Sequence, residues 1–259
     1  MEHFDLNDQR LANILYEAYI EKQQISKDQI PVFLEKEAAY DIQHALTDKK
    51  AKLASEELAG YKISLTSPET QQLFNSETPL YGALTTSSIM EKTIELASLS
   101  SPLIEIELIF IAKEDLSPDD NNDAIMKKTL VAPGIEVPDS RFEDWFPKLS
   151  LGQVIADSAV AGKIFIGEPK DNLSYEQLEN IAGTLTFNGE KIASGSSSEV
   201  LEHPVNAVKW LVNELAGHGL TLKKGMSISS GTFILPKLLE KGLYEANYEG
   251  IGSVSLEVK

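Results

Sequence analysis

The nine residues Leu103-Ile104-Glu105-Ile106-Glu107-Leu108-Ile109-Phe110-Ile111 constrain the fold of this chain more than any other stretch. They are apolar and rich in β-branched side chains, so they read as a buried strand, yet two carboxylates interrupt them. Strand side chains alternate faces, which sets Ile104, Ile106, Leu108 and Phe110 on one side. Glu105 and Glu107 share the other side with Leu103, Ile109 and Ile111. The two acids stand about 6.6–6.8 Å apart along the strand, and like charges that close repel strongly once water is thinned around them. Protonation of one acid, a basic partner or a bound divalent cation can each offset the repulsion, and hard cations of the magnesium type prefer oxygen ligands. The other reading is an edge strand whose glutamate face is simply wet. This stretch alone leaves both readings open.

The rest of the composition narrows the chemistry. The chain has no cysteine, which removes thiolate nucleophiles, disulfides and soft metal sites, so any metal is bound by oxygen or imidazole. Its 259 residues suffice for one large domain, or for a small one appended to a core, and 42% hydrophobic with 24% charged residues is ordinary for a globular protein. A formal net charge of −17 disfavours nucleic acid as a partner. No apolar run approaches the length of a membrane span. The opening Met1-Glu2-His3-Phe4-Asp5-Leu6 is acidic where a signal peptide is basic and then apolar, so a cytoplasmic location without a membrane partner is expected.

Two amphipathic helices open the chain. The first, capped near Asn7 or Asp8, carries Leu11, Ile14, Leu15, Ala18 and Tyr19 at helical spacing and ends near Lys22. The second runs from about Glu35 toward Glu57 with Ala39, Ile42 and Leu46 on one face. These predict a helical region over 1–58 and a β-rich catalytic domain over 59–259, with Gly60 as the hinge between them. In the strand from Gly60, Lys62 shares a face with Ser64 and Thr66; a lysine there reads either as a snorkelling side chain on an edge strand or as a functional group. Pro68 to Phe74 predicts a helical turn or two. Leu130 to Val137 reads as another strand and delivers a third acid, Glu136, between Ile135 and Val137. The cluster Phe142 to Phe146 reads as packing. The small-residue stretch Gln153 to Gly162 reads as a tight crossing or as a segment beside a cavity. Asn188-Gly189 marks a hairpin, and Pro204 opens a helix that Gly217 ends, with His203 before it as a structural cap. Short strands around Met226 to Ser229, Tyr244 to Tyr248 and Ser253 to Val258 finish the chain. There is no internal repeat, no Walker loop and no dinucleotide fingerprint.

The order of features is distinctive: Ala39-Tyr40-Asp41-Ile42-Gln43, Gly60-Tyr61-Lys62-Ile63-Ser64-Leu65-Thr66, Glu105-Ile106-Glu107, Glu136 with Asp139-Ser140-Arg141, Ala156-Asp157, Asn188-Gly189, His203-Pro204-Val205-Asn206-Ala207-Val208 with Trp210-Leu211, and Gly250-Ile251-Gly252-Ser253-Val254. It resembles the 2-keto-4-pentenoate hydratase and 2-oxo-3-enedioate decarboxylase family, over nearly the whole chain. The resemblance implies an α+β fold, a mixed β-sandwich or β-roll core of the fumarylacetoacetate hydrolase type with a small N-terminal helical region. It implies that Glu105, Glu107 and Glu136 bind one Mg2+ or Mn2+ and that Lys62 is catalytic, holding substrate or moving a proton. Such a hydratase ketonises a 2-hydroxy-2,4-dienoate and adds water to the far carbon of the conjugated ketone, giving a 4-hydroxy-2-oxo acid. Charge builds on the 2-oxygen, where a cation stabilises it. The expected partner is thus a small 2-oxo or 2-hydroxy-dienoic acid, and the expected assembly a homo-oligomer.

The departures from the family pattern fall on the organic half of the site. Pro79-Leu80-Tyr81-Gly82 stands where family hydratases carry an acid, Asp157-Ser158-Ala159-Val160 replaces Asp-Asn-Ala-Ser, and Ser230-Gly231-Thr232 replaces Thr-Gly-Ala. Ser158 and Thr232 are the expected substrate-binding residues at these positions. A different or bulkier apolar substrate follows, or weakened chemistry. A decarboxylase of the same family and a non-catalytic partner subunit are the alternatives. An acylpyruvate hydrolase is a weaker one, for want of a His-Glu water-activating pair.

Overall fold

The computed structural model describes residues 6–259; residues 1–5, which bear on the expectation of no targeting segment, lie outside the described residues. The helices are α1 (Leu6–Glu21), α2 (Lys36–Ala54), α3 (Pro68–Leu73), α4 (Asn122–Lys128), α5 (Leu151–Ala156), α6 (Tyr175–Leu178) and α7 (Pro204–Gly217). The strands are β1 (Leu58–Ser64), β2 (Leu80–Thr85), β3 (Ile89–Met90), β4 (Thr93–Ile94), β5 (Leu103–Ala112), β6 (Thr129–Val137) and β7 (Lys163–Ile166). They continue with β8 (Ala182–Phe187), β9 (Glu190–Ser196), β10 (Ser227–Thr232), β11 (Lys237–Leu238), β12 (Gly242–Tyr248) and β13 (Gly252–Val258). None of the described helices is long and apolar enough to cross a membrane.

The larger sheet runs β2-β1-β10-β5-β6-β7-β3, with β11 also paired to β5; the smaller runs β4-β13-β12-β8-β9. Both mix parallel with antiparallel pairs, so the body is the expected α+β mixed-sheet type. β5 lies inside the larger sheet between β10 and β6, which disposes of the wet-edge reading of its glutamates. Its even-numbered side chains Ile104, Ile106, Leu108 and Phe110 enter the main core. On the opposite face Ile109 packs into a smaller cluster with Leu84, Ala132, Ala161 and Ile164.

The N-terminal helices are built into this body. The buried Gln43 of α2 donates to Tyr81 O and Ile155 O and accepts from Ala83 N, so one amide ties α2 to β2 and α5. Gly60, expected as a hinge, sits within β1 at a register shift against β2. Its φ of +156° and the overlap a Cβ would make with Ser227 O both require glycine there. α7 begins and ends where the sequence predicts, and His203 caps it: its Nδ1 accepts from Val205 N at 3.1 Å while its ring stacks on Tyr175.

Candidate active site

Strand register alone gathers the expected residues. Glu105 and Glu136 are direct partners in the β5–β6 pair, and Glu107 follows Glu105 on the same face. Across β10, Lys62 is opposite Ser229 and Ser229 opposite Ile109, which puts Lys62 on the glutamate face as well. Lys62 lies on β1, flanked by β2 and β10, so it is an interior residue and the snorkelling reading fails. One carboxylate oxygen from each of Glu105, Glu107 and Glu136 lies within 4.8 Å of the others. Lys62 Nζ leans over the intervening strands to within 2.9 Å of Glu136 Oε1, and both side chains are at most 2% exposed.

Each group has a distinct environment. Glu107 Oε2 accepts from Ser229 Oγ at 2.6 Å and from Gly231 N at 2.8 Å. The N–H of Gly231 reaches it because φ there is +120°, and a Cβ would overlap the Thr66 side chain. Lys62 also donates to Ser64 Oγ. Glu136 Oε2, fully buried, has no hydrogen-bond donor among the described residues. Burial raises Glu105 to about 8, with Glu136 adding to the rise and Lys62 opposing it. Burial likewise pushes Glu107 well above the usual carboxylate range, helped by Glu136 and Glu105. Burial by itself lowers Lys62, but Glu136, Glu105 and Glu107 together outweigh it and leave the ammonium more basic than usual.

Once ionised, three buried carboxylates facing one lysine would leave two negative charges in excess, which equals the charge of one divalent cation. The orphaned Glu136 oxygen and the all-oxygen donor set suit a hard ion. The residues present therefore fit a magnesium-type ion.

Beside the acids a cavity opens, lined by Lys62, Glu105, Glu107 and Thr232 and closed by Leu65, Phe74, Trp145, Phe146, Val154 and Val160. Thr232 thus stands where expected, but its hydroxyl already donates to Ile234 O and accepts from Ile234 N. Ser158 is buried and does not line the cavity; Val160, two residues on, does. Leu80 is also buried away from the lining. Trp145 and Phe146, expected as simple packing, form part of the cavity wall.

Sequence reasoning missed the device that shapes this wall. Gln153 to Gly162 contains the end of α5 and then three successive left-handed residues, Ser158, Ala159 and Val160. That conformation costs roughly 1–2 kcal/mol for each L-residue. A buried ion pair holds it: Asp157 accepts from Arg141 Nε, and from Arg141 N and Ser140 Oγ at 3.1 Å each, while Arg141 also donates to Ala161 O at 3.0 Å. Asp139 N donates to Val160 O at 2.9 Å, completing the clamp. The motif Asp139-Ser140-Arg141 and the Ala156-Asp157 dipeptide are thus two halves of one structural unit. Their co-occurrence in the sequence was the only signal.

A mixed-sheet body carrying a buried carboxylate centre beside a largely apolar cavity defines a metal-dependent enzyme of the fumarylacetoacetate hydrolase type of fold. No family model matches the chain. A 2-hydroxyhexa-2,4-dienoate hydratase of Comamonas testosteroni is 33% identical over 229 residues, 85% of each chain. A 4-oxalocrotonate decarboxylase of Pseudomonas putida is 31% identical over 228 residues, 84% of this chain and 83% of that one. The solved 4-oxalocrotonate decarboxylase from Pseudomonas putida G7, complexed with magnesium and adipate, superposes with a TM-score of 0.86 at 26% identity, covering 98% of this chain and 97% of the other. The chain belongs to the 2-keto-4-pentenoate hydratase and 4-oxalocrotonate decarboxylase family.

Proposed function

We propose that the chain is a divalent-metal-dependent hydro-lyase that adds water to a 2-hydroxy-2,4-dienoate, through its 2-oxo-3-alkenoate tautomer, to give a 4-hydroxy-2-oxo acid. The observation that carries the proposal is the buried cluster of Glu105, Glu107 and Glu136, the first two lining a cavity, which once ionised lies two charges short of balance. These three residues would hold Mg2+ or Mn2+, in keeping with a relative solved once with magnesium and once with calcium. When bound, the cation supplies positive charge beside the oxygens of a 2-oxo acid, where negative charge develops during tautomerisation. Lys62 presents its ammonium at the same end, placed to hold the substrate carboxylate or to pass a proton. Glu107, held by Ser229 and Gly231, keeps its orientation as substrate enters. Thr232 flanks the substrate, and Ser158 acts at one remove by turning Val160 into the wall. The chemistry lies within residues 59–259, with the helices of residues 1–58 as support; a homo-oligomeric, cytoplasmic enzyme completes the proposal.

Loss of dienoate absorbance tests it, read with and without Mg2+ or Mn2+. Turnover should require the metal and fall by more than ~100-fold in Glu107→Gln, since even outer partners of a metal site are worth 10–100-fold. Absence of turnover across a panel of such acids rejects the hydratase. The decarboxylase relatives support a second reading, which carbon dioxide release from a 2-oxo-3-enedioate would establish.

A further inference from the structure

Where the N-terminal helices meet the β-rich body a second group of charges gathers, and there the sign is reversed. Lys22 follows α1, Lys50 lies near the end of α2, and Lys163 opens β7. Lys163 pairs with Val137 while Ile164 pairs with Glu136, so the Lys163 side chain leaves the sheet on the face away from the acids. The three ammoniums converge on Tyr19 and Ser87, whose hydroxyls are 3.0 Å apart. Lys22 Nζ lies 4.4 Å and Lys50 Nζ 4.0 Å from the centre of the Tyr19 ring, and Lys163 Nζ donates to Ser87 O at 2.7 Å.

The carboxylates around them are already engaged. Glu56 accepts from Tyr19 Oη and from Ser87 Oγ at 2.8 Å each, and from Thr85 Oγ1. Asp139 accepts from the N–H groups of Ser100 and Ser101, and Asp157 is taken by Arg141. Among the described residues no ion pair involves Lys22, Lys50 or Lys163. Lys50 is the sharpest case: it is 5% exposed, and its ammonium meets the Tyr19 ring but no hydrogen-bond acceptor among the described residues. A cation–π contact offsets only part of the cost of burying an unpaired ammonium. Burial lowers Lys50 to about 7; Arg141 and Lys163 push the same way, against Glu56 and Asp157. Burial also lowers Lys22 and Lys163, and Arg141 adds to both shifts while Glu56 and Asp139 oppose them. With Arg141 balancing Asp157, three ammoniums face two carboxylates whose oxygens already serve other donors.

We propose that Lys22, Lys50 and Lys163 form a binding site for a tetrahedral oxyanion of the phosphate type, which ties the N-terminal helices to the body. Three ammoniums on three separate elements call for more acceptors than the two oxygens of a carboxylate, and a tetrahedral oxyanion offers four. Lys22, the exposed member, stands at the mouth, and Lys50 forms the floor. The site is separate from the carboxylate centre, and its failure would leave the proposed function standing.

Equilibrium dialysis of radiolabelled sulfate against the full chain tests this, without added metal, near pH 6.5 and at an ionic strength held constant with sodium chloride. Sulfate keeps its charge across the accessible pH range and serves as the probe. Saturable binding of a single sulfate per chain at millimolar concentration is expected, displaced by inorganic phosphate and not by acetate. Lys50→Met should weaken it by ~10-fold or more, the worth of one charged hydrogen bond, and Lys163→Met, by about 3–10-fold, serves if the first variant does not fold. Lys62→Met, at the carboxylate centre, should leave it unchanged. Methyl phosphate then separates the sources: displacement of sulfate by it as well as by phosphate marks a site that accepts phosphate esters, and displacement by phosphate alone marks a free-anion site, both in keeping with the proposal. Sulfate that does not saturate, that acetate displaces equally, or that binds undiminished to Lys50→Met and Lys163→Met is an adventitious ion only and overturns the site. Weakening by Lys62→Met alone would move the anion to the carboxylate centre and overturn it equally.

Discussion

Replacing Lys62 by Met removes the cation set among three buried carboxylates while keeping an unbranched side chain one atom shorter. The native ammonium lies 2.9 Å from Glu136 Oε1 with both groups shielded from solvent. Deleting one partner of such a pair costs about 3–5 kcal/mol, unless the abandoned charge can be neutralised. Here the cluster can take up a proton instead, because burial already raises Glu105 from its ordinary 4.5 to about 8 against the pull of Lys62, and loss of Lys62 raises it further. A carboxyl whose folded pKa stands above its unfolded one gives its full stability below the unfolded value and loses it as pH rises through the folded value. The metal-free variant should therefore lose least near pH 5, where Glu105 and Glu107 are protonated in both. Near pH 9 it should be less stable by about 3–5 kcal/mol, or roughly 6–20 °C in Tm for a chain of this size. Millimolar Mg2+ or Mn2+ should restore most of the loss, since the ion provides the missing positive charge, while turnover stays absent. Thermal melts at both pH values, with and without metal, decide the matter. An equal loss at each pH that metal does not relieve would mean that Lys62 acts by packing, and the electrostatic argument would be refuted.

Three further outcomes follow from the same geometry. Metal binding must displace protons from Glu105 and Glu107, both raised by burial, so affinity should climb between about pH 6 and about pH 8, and calorimetry in buffers of different ionisation heat should record proton release; pH-independent binding would place the ion elsewhere. Asp157→Asn strips the charge that holds Arg141, and urea unfolding should show a loss of about 3–5 kcal/mol while Mn2+ affinity is unchanged, because the pair shapes the Val160 wall and does not touch the acids. Gly231→Ala forces a Cβ into the Thr66 side chain and withdraws an N–H from Glu107, so it should cost about 1–3 kcal/mol and weaken metal binding, both visible in melts with and without the ion.

The carboxylate centre was legible in the sequence because strand alternation is strictly local: Glu105 and Glu107 face one way whatever surrounds them. Glu136 could be singled out as an acid in an apolar strand, but its position opposite Glu105 is a matter of register between strands and appears only in the fold. The edge-strand reading of Lys62 failed for a related reason. The strand that encloses β1 on its second side is β10, far along the chain, and no local pattern announces it. The small-residue stretch after Gln153 has no periodicity from which left-handed turns at Ser158, Ala159 and Val160 could be read; the Arg141–Asp157 pair that imposes them is a long-range contact. Ser158 is buried outside the cavity lining and Val160 is in it, because a two-residue offset in such a turn decides which side chain faces inward. Trp145 and Phe146 show the same limit, since aromatic residues that line a cavity and those that fill a core look alike until the space between them is seen.

Diffraction from crystals grown with Mn2+, recorded at the manganese absorption edge, tests the central claim most directly. The account predicts a single anomalous peak enclosed by the carboxylates of Glu105, Glu107 and Glu136, absent from crystals of Glu107→Gln grown the same way. Three acids with no peak between them at saturating manganese, or a peak unmoved by that substitution, would contradict it.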